Sequence, residues 1–151
     1  MAAERSLSPA AAELDLDSVR RRLIASGSEL ALKPNTVNEA ELEYRRFLIL
    51  CGIEPELAMP SDLILADILK AHARDRAMFE ADCLHVARHM ARVGPPWGEV
   101  ELSRFRSLYE HTFDRPLHFL WTAYTPRPDG PPYAICGSRD SWTHSSRRLP
   151  R

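Results

Sequence analysis

The centre of the predicted fold is residues 60–83, whose sequence is P-S-D-L-I-L-A-D-I-L-K-A-H-A-R-D-R-A-M-F-E-A-D-C. Pro60 and Ser61 predict a helix start, because a serine hydroxyl can accept a hydrogen bond from free amides of the first turn. Apolar residues then recur at helical spacing and end at His72. Asp75 is placed to cap a second helix. We therefore expect two amphipathic helices, joined by almost no loop, that pack against each other.

Two more helices are predicted before this stretch. The first begins near Asp15 or Asp17 and ends at Gly27 and Ser28. The second starts at Thr36-Val37-Asn38-Glu39, which has the spacing of a capping box. Its buried face carries Tyr44, Phe47, Leu48 and Cys51, and Gly52 is placed to end it in a left-handed conformation.

A fifth helix is predicted over residues 99–113, after the paired prolines Pro95 and Pro96, which a helix interior does not tolerate. Residues 1–13 contain few large apolar groups, and residues 125–151 are rich in Pro, Ser and Arg. Such composition is typical of disordered segments. We expect an all-α fold, a compact bundle of about five helices over residues 14–124, with a disordered N-terminus and a flexible tail.

The composition and charge of the chain disfavour some classes of function. The chain has 44% hydrophobic and 27% charged residues, a formal net charge of -1 and a pI of about 6.6. A near-neutral chain of this kind gives no bulk electrostatic reason for binding nucleic acid or an anionic membrane. With neither a signal pattern nor about 18 consecutive apolar residues, it is expected in the cytoplasm. Three widely spaced cysteines favour reduced thiols over a disulfide framework.

Two groups of residues raise chemical hypotheses. Arg20, Arg21 and Arg22 crowd the first predicted helix, where a solvated helix face is favoured over a grip on a phosphate or an acidic partner. The other group lies on the fourth predicted helix. Asp82, His85 and His89 are spaced i, i+3 and i+7, and the two histidines have the i, i+4 geometry that can hold a divalent metal such as zinc.

His72 could join this metal set from the preceding helix. A hydrated polar flank is the favoured interpretation of Asp82, His85 and His89, because no Glu follows His85 as a metalloprotease motif requires. His72 itself lies on an apolar stripe and is favoured as a core histidine held by a hydrogen bond. No cofactor is therefore expected, with a divalent metal as the alternative.

The chain also resembles the glycine-rich domain-containing-like proteins of bacteria and plants. Five features occur in the same order: E-Y-R-R-F-L-I-L at 43–50, Pro60-Ser61, the segment ending F-E-A-D-C at 79–83, P-P-W-G at 95–98, and Leu108-Tyr109 followed by Phe113 and Trp121. The family's W-H pair falls on Leu69-Lys70 and its H-H pair on Arg92-Val93. Of the family histidines, this chain keeps only His72.

The resemblance therefore implies a divergent member of a largely uncharacterised family. We favour a non-catalytic protein-interaction or regulatory module whose partner is another protein. The alternative is a metal-binding protein or a metal-dependent enzyme that uses the His/Asp cluster. The two differ in one geometric requirement, because the alternative needs His72 within ligand reach of the fourth helix.

Overall fold

The computed structural model describes residues 7–28, 30 and 33–125. This part of the chain is helical, which confirms the predicted fold class. The helices are α1 (Pro9–Ala12), α2 (Asp17–Ser26), α3 (Pro34–Ile53), α4 (Ala66–Ala73), α5 (Arg76–Val86) and α6 (Glu99–Phe113), followed by a 3₁₀ turn at Phe119–Thr122. Two short strands, β1 (Met59–Pro60) and β2 (Val93–Gly94), pair in parallel.

Four of the predicted helix ends are confirmed. Gly27 ends α2 with φ 72°, a left-handed conformation that glycine adopts without a steric penalty. Asp75 caps α5 by accepting a hydrogen bond of 3.2 Å from the amide of Met78. Helix α6 has the predicted bounds, Glu99–Phe113.

The predicted helix start at Pro60-Ser61 is wrong. Helix α4 begins at Ala66, because the backbone before it is bonded to distant parts of the chain. Ser61 donates its amide to the carbonyl of Gly94 at 3.0 Å, and Ile64 donates to Ala123 at 2.9 Å. These long-range bonds hold residues 61–65 in turns, so Ser61 does not cap the helix.

Both predicted ends of the second helix are also wrong. Helix α3 begins at Pro34 rather than at Thr36, since proline is well suited to the first turn, where its missing amide leaves no bond unmade. Its last residue is Ile53, so Gly52 lies inside the helix. A Cβ on Gly52 would lie 3.4 Å from the Cα of Ala87. This is an ordinary van der Waals distance, so α3 packs closely on Ala87 without requiring a glycine at this position.

The N-terminal segment differs from its predicted disorder over part of its length. The hydroxyl of Ser8 accepts from the amide of Ala11 at 3.3 Å and starts α1. Ala11 is fully buried, and its carbonyl accepts from the Arg45 guanidinium at 2.6 Å. In the predicted tail, only Thr125 lies within the described residues, and residues 126–151 lie outside them.

The core is centred on α3. Its predicted inner face is confirmed, because Tyr44, Phe47, Leu48 and Cys51 are each 0% exposed. Trp121 packs on this face, with its ring 4.5 Å from that of Phe105 and stacked on Trp97 at 6.2 Å. No helix in the described part of the chain is long and apolar enough to cross a bilayer.

Candidate functional site

His72 lies at the centre of the core, as predicted, between two polar partners. Its Nδ1 is 2.7 Å from the hydroxyl of Tyr44, and its Nε2 is 2.8 Å from Oδ2 of Asp82. The His72 side chain is 0% exposed, and the Phe79 ring packs edge-on against it at 5.0 Å. The close packing of α4 and α5 that the sequence predicts is thus made through this histidine.

Burial also determines the protonation state of His72. Removal from water lowers the pKa of the imidazole, and the hydrogen bond to Asp82 only partly offsets that effect. In the neutral ring, Nδ1 accepts from the Tyr44 hydroxyl and Nε2–H donates to Asp82. Both ring nitrogens are therefore occupied by protein groups, which suits a structural role.

The residues of the alternative metal set do not lie on one helix flank. Helix α5 ends at Val86, and Arg88 adopts a left-handed φ of 65°, so His89 leaves the helical path. Its Nε2 contacts the carbonyl oxygen of Cys51, while His85 is exposed. Of the four candidates, Asp82, His85, His89 and His72, only Asp82 and His72 meet. The requirement that His72 reach the fourth predicted helix, α5, is therefore met through Asp82. Within residues 7–28, 30 and 33–125, no three His, Cys, Asp or Glu side chains are placed to hold a metal.

The described cysteines are buried thiols. Cys51 and Cys83 are each 0% exposed, and neither forms a disulfide. Burial raises the pKa of Cys51 to about 12 and also raises that of Cys83. Since the thiolate is the reactive form, both thiols are protonated at neutral pH and suited to packing.

A second buried polar cluster forms around Glu43, which the sequence did not single out. Oε1 of Glu43 accepts from the Tyr109 hydroxyl at 2.7 Å and from the Trp121 indole at 2.9 Å. Its Oε2 accepts from Nη1 of Arg46. Glu43 and Arg46 are both 0% exposed. The available signal was the i, i+3 charge pair directly before the apolar run of residues 47–51.

A surface cleft lies between the end of α2 and one face of α4, with a volume of about 380 Å³. Asp67 and Lys70 line it from α4 and Arg74 lines it from the C-cap of this helix, where their three- and four-residue spacing places them on one face. Arg22 lines it from α2, and Ser28 and Thr125 also contribute. We call this feature the basic cleft.

The charged groups of the basic cleft differ in how firmly they are held. Nη1 of Arg22 donates to the carbonyl of Ala71 at 2.9 Å, so this guanidinium is fixed against α4. Asp67 accepts from the Ser28 hydroxyl at 2.6 Å. Lys70 and Arg74 are exposed, and within the described residues no carboxylate lies within 4.0 Å of either. Two cations are therefore free to meet a ligand.

The arginine triplet of α2 thus has three different environments. Nε of Arg20 donates to Glu41 at 2.8 Å, Arg21 is exposed, and Arg22 enters the basic cleft. The prediction of a solvated face applies to Arg21. Arg22 lies in the basic cleft, where it is placed to contact an acidic partner, which is the disfavoured alternative.

Comparisons of the sequence with models of protein families, with curated proteins and with solved structures gave no significant match. The resemblance to the glycine-rich domain-containing-like proteins stays a prediction.

Proposed function

We propose that this protein is a non-catalytic interaction module that binds an acidic segment of another protein in the basic cleft. The observation that carries the proposal is the convergence of Arg22, Lys70 and Arg74 on one cleft, in a chain whose formal net charge is -1. A local concentration of positive charge on a near-neutral chain attracts a ligand of the opposite sign.

The buried histidine and cysteines favour a binding role over a catalytic role. His72 has both ring nitrogens engaged, and burial raises the pKa of the thiols of Cys51 and Cys83. A general base or a nucleophile needs access to a substrate, and these groups are enclosed in the core. In the basic cleft, Lys70 and Arg74 are exposed and have hydrogen-bond donors that the described residues do not use, which suits them to contact an anion.

The spatial arrangement of the motif residues supports the proposed kinship with the glycine-rich domain-containing-like proteins. Glu43, Arg46, Tyr109 and Trp121 belong to two of the quoted sequence features, and they meet in one buried cluster. We also place the protein in the cytoplasm, since free thiols are typical of reducing compartments.

The binding test uses the full chain and a fluorescein-labelled hexaglutamate peptide, followed by fluorescence anisotropy. We expect saturable binding at about 50 mM salt that weakens at about 300 mM, because salt screens charges at an exposed site. The variant Lys70→Glu/Arg74→Glu should lose at least about tenfold in affinity, since attraction becomes repulsion at two positions.

The matched control is Arg104→Glu/Arg106→Glu, which makes a similar charge change at two exposed positions of α6. It should bind the peptide with nearly the affinity of the wild-type chain, and circular dichroism should show that both variants fold. Equal losses in the two variants would show that net charge, not the cleft, attracts the peptide. No binding by the wild-type chain would overturn the proposal.

A further inference from the structure

We propose that the group received by the basic cleft is the phosphate of a phosphorylated serine or threonine within the acidic segment. This inference rests on the proposed function and adds the chemical class of the ligand. It follows from the charges, the hydrogen-bond donors and the size of the cleft.

The charges that line the cleft suit a dianion. Among its described lining residues, Arg22, Lys70 and Arg74 are cationic and Asp67 is the one carboxylate. The cations of the lining thus outnumber its carboxylate by two, and Asp75, which lies outside the lining, is 3.8 Å from Nη2 of Arg22. A phosphoserine carries about -1.5 to -2 charges at pH 7, whereas a glutamate carries one. A phosphate therefore neutralises the cleft more completely than a single carboxylate does.

The arrangement of donors also suits phosphate. Lys70 lies in α4, Arg74 is the residue that caps the C-terminal end of this helix, and Arg22 of α2 lines the same cleft. Three cationic groups on two elements can contact three oxygens of one tetrahedral phosphate, while a planar carboxylate offers two. The bond from Arg22 to the carbonyl of Ala71 holds one of these guanidinium groups in place before a ligand arrives.

Asp67 has a fixed position in the cleft. Its carboxylate is held at 2.6 Å by the hydroxyl of Ser28, so it stays beside the cations. It repels an anion in proportion to the charge of that anion, as the cations attract it in the same proportion. The preference for a ligand of higher charge therefore comes from the excess of cations in the lining, which Asp67 reduces.

The size of the cleft limits what can enter. A volume of about 380 Å³ is at the small end of the range of roughly 300–1,000 Å³ for ligand pockets. Such a space accepts one phosphorylated side chain with part of its backbone, and it is too small for a folded element. The neighbouring acidic residues of the partner would then lie outside the cleft.

The experiment compares three labelled peptides of sequence Gly-Glu-Glu-X-Glu-Glu-Gly on the full chain, with phosphoserine, glutamate or serine at X. We expect the phosphopeptide to bind about tenfold more tightly than the glutamate peptide at pH 7.5. This advantage should shrink at about pH 5.5, because the second phosphate pKa is about 6. The double variant Lys70→Gln/Arg74→Gln should reduce the preference for the phosphopeptide, and the control Arg104→Gln/Arg106→Gln should preserve that preference.

The possible failures are distinguishable. Equal binding of the phosphoserine and glutamate peptides would overturn the phosphate assignment and leave the proposed function intact. No binding of any peptide would overturn both. Inorganic phosphate serves as a competitor, and if it bound as tightly as the phosphopeptide, the cleft would be a site for free phosphate and the protein ligand would be wrong.

Discussion

Because the charge of Glu43 is buried, we predict that removing it lowers the free energy of unfolding. The change is Glu43→Gln, which keeps the size of the side chain and removes its charge. The remaining carbonyl oxygen can take the place of Oε1, which accepts from Tyr109 and Trp121. The amide NH₂ then occupies the place of Oε2 and faces Nη1 of Arg46, so two donors meet where a donor met a carboxylate.

The size of the stability loss in Glu43→Gln follows from the environment of Arg46. Its side chain is 0% exposed, and Glu43 is its one ion-pair partner within the described residues. The Nε and Nη2 atoms of Arg46 already lack a hydrogen-bond partner there. Removing one member of a buried pair leaves an uncompensated charge and costs about 3–5 kcal/mol of unfolding free energy. For a chain of 151 residues, this corresponds to a fall in Tm of roughly 6–20 °C.

The assay is urea and thermal unfolding of the wild-type chain, Glu43→Gln and a matched Glu80→Gln. Glu80 pairs with Arg76 at 3.0 Å, but the side chains are 43% and 84% exposed, so its loss should cost at most about 0.5 kcal/mol. The double variant Glu43→Gln/Arg46→Met should recover part of the loss, because it removes the unpaired charge. A cost below about 1 kcal/mol for Glu43→Gln would refute the reasoning.

Three further predictions follow from the other buried groups. Burial lowers the folded-state pKa of His72 and of His118, so the unfolded chain binds more protons in acid. The free energy of unfolding should thus fall as the pH drops below about 6.5, and His72→Gln should reduce this dependence in pH-controlled urea titrations. Iodoacetamide at pH 7.5 should leave Cys51 and Cys83 unmodified in the native state and alkylate both in urea, as measured by peptide mass spectrometry. Elemental analysis of the untagged chain should find no stoichiometric zinc, iron or manganese, because His72 is already bonded to Tyr44 and Asp82; one equivalent of metal would contradict this.

Local patterns in the sequence were enough to predict most of the helices. The paired prolines Pro95 and Pro96 place the start of α6 after them, and Gly27 and Asp75 mark the end of α2 and the start of α5. The start of α4 could not be predicted in this way. It depends on pairing of Met59 and Pro60 with Val93 and Gly94, which are far apart in sequence. A serine after a proline is a valid helix start only when its backbone is not bonded elsewhere.

The candidate sites were harder to predict for the same reason. Glu43 meets Tyr109 and Trp121 across 66 and 78 residues of chain, so its burial leaves only a weak local signal. The spacing of His85 and His89 predicts that both lie on one helix, but the helix ends between them. For the basic cleft, no local sequence pattern marks Lys70 and Arg74. Arg22 lies beside two other arginines in the sequence, and those two have different environments in the structure.

The two faces of α4 connect the core with the proposed binding site. Asp67, Lys70 and Arg74 line the basic cleft, whereas Ile68, Leu69 and His72 are buried. A helix of eight residues is too short to be stable alone, so its position depends on its buried face. The bonds of His72 to Tyr44 and Asp82 tie that face to α3 and α5, and the adjacent Ala71 carbonyl receives Arg22. The cations of the cleft are therefore carried by an element that the core has already ordered, which lowers the entropic cost of binding. In this view, His72 serves binding by fixing the helix that presents the ligand-binding groups.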